Sequence, residues 1–222
     1  MTTPLLPGAQ RVRLRIAINL FGADQWSVYD KEFVSLSLWA LHALDSFNQY
    51  VLYLPPMGLR SLYAPFDLPG WVLLPSRFPA GCSKASLWLQ QFFFILAVSS
   101  VDLDVLHFVD FQGPLSLLRI IGHRSPPVVL SFLDRESPPR RFPPLSPPFS
   151  FVTTLSEKTR QIMVEDAGWA PDRVRILPWT APKDESEFRL IARTWLALYR
   201  RAFAEAVARF TGWDQTPADQ DH

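Results

Sequence analysis

A single doubly wound α/β sheet with a long C-terminal helix is the fold the sequence predicts, and three observations predict it. Seven apolar runs of strand length recur along the 222 residues, most of them continuous rather than alternating, which marks strands covered on both faces. Stretches of helical periodicity lie between several of these runs, giving the β-α-β rhythm of a parallel Rossmann-like sheet. The chain then closes on one amphipathic repeat longer than any before it. With 48% of its residues hydrophobic, a chain of this length can bury one substantial core, so a single sheet domain is the simplest count.

Taken in order, the strand runs are RIAINL (15–20), YVLYL (50–54), WVLLP (71–75), DVLHFV (104–109), VVLSFL (128–133), FVTTL (151–155) and RVRIL (173–177). Helical stretches fall at about 27–46, 84–99, 114–122 and 156–167, with Ser27 placed to cap the first and Gly168 to close the last. Trp88 and Phe92 to Phe94 suit the apolar face of a helix on a parallel sheet. The tract from Pro138 to Pro148 can form neither helix nor central strand, so the loop 138–148 should be extended and exposed. In the final helix Asp184 and Glu187 read as an acidic capping box, and Phe188, Ile191, Trp195, Tyr199, Ala202, Phe203, Ala206 and Phe210 repeat at three and four. Its other side carries Arg189, Arg193, Arg200 and Arg201, a solvated face or a binding patch. Residues 11–182 thus read as the sheet domain, 184–210 as a closing helix and 211–222 as a polar, frayed tail.

Composition removes several function classes. Lys+Arg 22 against Asp+Glu 21 gives a net charge of +1, which offers no general pull toward nucleic acid. Cys82 is the only cysteine, and His42, His107, His123 and His222 are scattered, so neither a disulfide framework nor a local metal motif is expected, and no cofactor is implied. The start, MTTPLLPGAQRVRLR, lacks the apolar centre of a signal peptide, and the longest apolar stretch, LWLQQFFFILAV (87–98), is too short to span a bilayer. A cytoplasmic protein, soluble or peripheral to a membrane, is expected. No G-x-G-x-x-G or nucleophile-elbow motif follows the first strand, which disfavours an unrelated Rossmann-type enzyme.

Four pieces resemble the N-terminal, acceptor-side domain of family-4 GT-B glycosyltransferases. RIAINLFG (15–22) leads into a long helix, as the family's first strand and glycine turn do. DVLHFVDFQGP (104–114) is similar to its Asp-aliphatic-aliphatic-His strand, and PPVVLSFLDRESP (126–138) to its strand ending in His-Asp. FVTTLSEKTRQIMVEDAGWAPDRVRILPWTAP (151–182) follows its order of strand, Ser, amphipathic helix, Pro-Asp-Arg link, strand and Pro. In that family a second Rossmann-like domain holding the nucleotide-sugar follows this last strand, and the final helix then crosses back onto the first. Here ESEFRLIARTWLALYRRA (185–202) already looks like the crossing helix, only a few residues after Pro178. The donor domain, with its phosphate clamp and glutamate pair, therefore looks missing. Glu157 and Glu165 have a similar spacing to that pair but lie in the acceptor half, where two glutamates on a solvated helix need no functional reason.

The resemblance places Asp134 at the mouth of the cleft, where it reads equally as an acceptor contact or as a strand-end carboxylate paired with Arg135. Leu133 stands where the family has histidine, and a leucine can neither shuttle a proton nor accept a hydrogen bond. His107 lies within an apolar strand, which favours a hydrogen-bonded core imidazole, and Asp110 is the better-exposed candidate for a polar ligand. Gly22 is the single glycine of a turn that could receive phosphate at a helix start, and Arg135, Arg140 and Arg141 offer donors to an anion. Ser156 reads first as the cap of the helix after it. Trp26, Phe111 and Trp179 flank the strand ends and are candidate anchors for a partner.

The function so implied is that of a glycosyltransferase-like acceptor domain in glycan or glycoconjugate synthesis. It would be inactive alone and would work with a separate donor-domain subunit or by self-association, on a glycan or lipid-linked acceptor. The alternative is a non-catalytic glycan- or protein-binding module built on the same fold, favoured by Leu133 and the single-glycine turn.

Overall fold

The computed structural model describes residues 12–20, 23, 26–54, 70–75, 102–110, 126–133, 149–166, 168–177 and 184–213. Seven strands form one sheet: β1 (Arg15–Asn19), β2 (Gln49–Leu54), β3 (Trp71–Pro75), β4 (Val105–Val109), β5 (Val128–Ser131), β6 (Phe149–Thr154) and β7 (Val174–Ile176). All adjacent pairs are parallel, and their order is β3-β2-β1-β4-β5-β6-β7. This is the Rossmann-like arrangement expected from the continuous apolar runs, because each central strand is buried on both of its faces. The helical stretches 84–99 and 114–122 and the proline tract lie outside the described residues.

Alternation along the strands divides the core in two. On one face Ile16, Ile18, Val105, Val109, Val129 and Phe151 pack beneath two helices, α1 (Val28–Leu44) and the C-terminal helix α3 (Glu185–Trp213). On the other face Ala17, Leu106, Phe108, Leu130 and Val152 join Met163 of α2 (Glu157–Glu165) and Trp169.

Local chemistry fixes where each helix starts and stops. Ser27 caps α1 through a capping box: its hydroxyl accepts from the Asp30 N–H at 3.1 Å, and the Asp30 carboxylate accepts from the Ser27 N–H at 3.1 Å. Ser156 caps α2, accepting from the Thr159 N–H at 3.2 Å. Beyond α2, Gly168 takes φ +70°, a value that suits glycine, and the chain turns back so that the Trp169 N–H donates to the Met163 carbonyl at 3.0 Å. Asp184 precedes α3 and accepts from the Ser186 N–H and hydroxyl at 3.3 and 2.8 Å.

Only six residues, 178–183, separate the strand-end residue Leu177 from Asp184. From there α3 returns across the sheet, burying Phe188, Ile191, Ala192, Trp195, Leu196, Leu198, Tyr199 and Ala202 against the sheet and α1. Among the described residues no helix is long and apolar enough to cross a membrane.

Candidate functional site

The strand order reverses between β1 and β4, and a switch point of this kind is where open α/β sheets bind ligands, outside the carboxyl ends of the strands. Asn19 ends β1 and Asp110 follows β4, each 8% exposed. Asp110 has φ 51°, the left-handed region that aspartate enters more readily than most residues but still at a cost. Its N–H donates to the Ser131 carbonyl at 2.7 Å, which continues the β4–β5 ladder one step past the strand and pins the backbone at the carboxyl edge of the sheet. Strained backbone of this kind clusters at ligand clamps and active sites, which makes Asp110 a candidate.

The other candidates divide into those the structure describes and those it does not. Gly22, Phe111, Asp134, Arg135 and Trp179 lie outside the described residues. Trp26 is 5% exposed and packed into the core beside α1, so its ring is not the exposed anchor the sequence suggested: the start of a helix laid on a sheet buries what lies beneath it. Its indole N–H is buried and meets no acceptor among the described residues. Leu133 is likewise a core residue. The Ser156 hydroxyl is occupied at the α2 cap, donating to Thr159 Oγ1 at 3.1 Å. At the α1 N-terminus the Asp30 carboxylate accepts from the Ser27 N–H and hydroxyl, so negative charge already stands where a phosphate would approach.

His107 belongs to a polar chain that sequence reading reached at only one point. It is fully buried, with Nδ1 2.6 Å from the Tyr199 hydroxyl of α3 and Nε2 2.7 Å from the Ser131 hydroxyl of β5. Ser131 Oγ lies 2.5 Å from Thr153 Oγ1 of β6. Tyr199, His107, Ser131 and Thr153 thus run in line across three strands beneath α3, and the Trp195 ring meets the imidazole edge-on with centroids 5.0 Å apart. Burial pushes the imidazole down to about 3, so it is neutral at physiological pH, and pushes the Tyr199 phenol well above its ordinary value. A closed chain of satisfied neutral groups is a structural seam, and His107 has no exposed surface with which to meet a ligand. Its signal in the sequence is the presence of His, Ser and Thr inside otherwise apolar strands.

A second polar cluster lies at the opposite, amino edge of the sheet. Asp45 accepts from Asn48 Nδ2 and the Tyr50 hydroxyl, both at 2.6 Å, while Asn48 Oδ1 accepts from the Leu14 N–H at 2.9 Å. It clasps the α1–β2 turn onto the start of β1. Burial, followed by the Asp45 carboxylate, raises the Tyr50 phenol far above its usual range. Among the described residues no three of His, Cys, Asp and Glu converge as a metal set.

The single seven-stranded parallel sheet and the long C-terminal helix make a Rossmann-like α/β domain of GT-B-like fold. Among solved structures the chain is similar to UDP-N-acetylglucosamine 2-epimerase from Rickettsia bellii, with a TM-score of 0.51 and 12% identity. The likeness covers 93% of this chain and 50% of that one, so the chain spans about half the length of the protein it matches. At that identity the likeness carries the fold and does not extend to family 4. No family profile matches the sequence, and no curated protein matches it.

Proposed function

We propose that the chain is the acceptor-side half of a GT-B-type glycosyltransferase and works with a separate chain that holds the nucleotide-sugar. The observation that carries this reading is the passage from β7 to α3: eight residues, 177–184, join the last strand to a helix that packs straight back onto α1, leaving no room for a second sheet between them. The match of this chain to about half of a protein of the same fold is in keeping with it. In this reading the carboxyl edge of the sheet beside Asn19 and Asp110 receives the acceptor, with the Asp110 carboxylate accepting a hydrogen bond from an acceptor hydroxyl, and the partner supplies the charge stabilisation for the departing diphosphate. Asp134 and Arg135, next in sequence after Leu133, are proposed to extend that contact.

The test is co-purification followed by turnover. A chain bearing a second Rossmann sheet should co-purify with this one, the pair should consume a nucleotide-sugar in the presence of acceptor, and Asp110→Ala should abolish consumption without dissociating the pair. Failure to find such a partner, or full activity in the variant, counts against the reading.

A second reading, a non-catalytic glycan- or protein-binding module, is favoured by one observation. Leu133, at the position of the family's histidine, is a core residue and supplies no group for proton transfer. Glycan binding by the chain alone, unchanged by a donor-domain partner, would select it.

A further inference from the structure

The β7 margin of the sheet carries a cleft of about 340 Å³ that the proposed acceptor site does not use, lined by Arg175, Arg193, Thr194, Ala197, Leu198 and Arg201. Arg175 is the middle residue of β7, where alternation turns its side chain to the α3 side, and the others form one stripe along α3 at spacings of three and four. Three guanidinium-bearing residues therefore face one concavity whose floor is the apolar pair Ala197 and Leu198.

The neighbouring charges are not shared evenly. Arg201 Nε meets Glu205 at 3.0 Å and a terminal nitrogen reaches Asp172 at 3.3 Å, and Arg173 also pairs with Glu205. Arg173 and Arg201 both lie over the Phe151 ring, 4.9 Å from its centroid. These contacts hold Arg201 in place with part of its fork still free. Arg175 and Arg193 are exposed and have no carboxylate partner among the described residues. Like charges gathered without a counter-charge repel one another, and an anion seated between them removes that repulsion. The Thr194 hydroxyl donates to the Leu190 carbonyl at 2.9 Å, so it forms wall rather than donor.

We infer that this cleft is an anion site for a phosphate ester, with the phosphoryl group held between Arg175 and Arg193, assisted by Arg201, and an apolar portion resting on Ala197 and Leu198. Phosphate suits the site better than carboxylate because its oxygens and double charge can engage several forks at once, whereas one carboxylate is satisfied by one. At roughly 30 Å³ per water the cleft holds the equivalent of about ten waters, room for a phosphoryl group and an organic neighbour. The inference does not depend on the chain being half of a glycosyltransferase.

The experiment is a calorimetric titration of the whole chain with inorganic pyrophosphate at low ionic strength, beside flotation with phosphatidylcholine vesicles with and without phosphatidic acid. The double variant Arg175→Gln/Arg193→Gln should weaken pyrophosphate binding by at least about tenfold, whereas Arg189→Gln, outside the cleft on the same helix, should leave it unchanged. All three residues are exposed, and thermal melts without ligand confirm that the variants fold. Flotation of the wild type but not the double variant on phosphatidic acid vesicles identifies a lipid headgroup as the source, while pyrophosphate binding without flotation identifies a soluble phosphate ester. No binding of either probe, or equal binding by the double variant, overturns the inference.

Discussion

His107 titrates near 6.5 in an unfolded chain and at about 3 in the fold, because burial disfavours its charged form. Between those values the unfolded chain binds the extra proton, so the contribution of His107 to stability is whole above about pH 6.5 and is lost as pH falls toward 3. The slope is at most roughly 1.4 kcal/mol per pH unit. Urea unfolding at successive pH values should show the wild type losing stability faster than His107→Gln on acidification, and parallel curves would mean that the buried ring is charged. Asp110 gives a second prediction at this scale. Asp110→Val should be less stable than Asp110→Gly by about 1–2 kcal/mol, since both lose the carboxylate but only valine is strained at a positive φ. Equal denaturation midpoints would place the strain elsewhere. Both residues were visible in the sequence, His107 within its strand and Asp110 just past it. The partners of His107 were not, since Tyr199 lies 92 positions away and nothing local links the two.

The helix α3 shows what an element reveals in advance. Its repeat of Phe188, Ile191, Trp195, Tyr199 and Ala202 marks the buried stripe because side chains three and four apart share a face. The Asp184 cap was equally legible, although its side chain bonds Ser186, a detail that rotamers decide. Trp195 is fully buried, so Trp195→Ala should cost about 3–5 kcal/mol by chemical denaturation. Tyr199→Phe keeps the ring but leaves His107 Nδ1 without its partner, and should cost about 1–3 kcal/mol. A loss below half a kcal/mol, roughly the weakest net value of a hydrogen bond, would show that the seam is not what seats α3. Trp26 went the other way: an aromatic beside a strand end reads as an anchor until the helix above it is placed.

At the scale of the molecule, the seven apolar runs announced seven strands, but periodicity says nothing about which strands are neighbours. The reversal between β1 and β4 is fixed by crossover packing and is not readable from the runs themselves. The arginine cleft was half visible: the basic side of α3 stood out, whereas Arg175 joins it only because β7 is the last strand of the sheet. The whole-molecule prediction follows from the short passage between Leu177 and Asp184. The pure chain should neither hydrolyse nor transfer from nucleotide-sugars, as assayed by release of free nucleotide, because in the proposed reading the clamp for the leaving diphosphate belongs to the partner chain. Metal-independent turnover abolished by Asp110→Ala would refute it.

The same return of α3 sets the timing of the protein's manufacture. As the chain leaves the ribosome, strands β1 to β7 emerge before α3, so the face of Val129, Phe151 and His107 waits for its contacts with residues near Trp195 and Tyr199. Contacts of such separation form late, and a bare apolar sheet face invites aggregation in the interval. A nascent chain stalled before Asp184 should therefore bind chaperones and be cut readily by protease, and emergence of Ala202 from the ribosome should end both, so that α3 is the segment whose arrival licenses release.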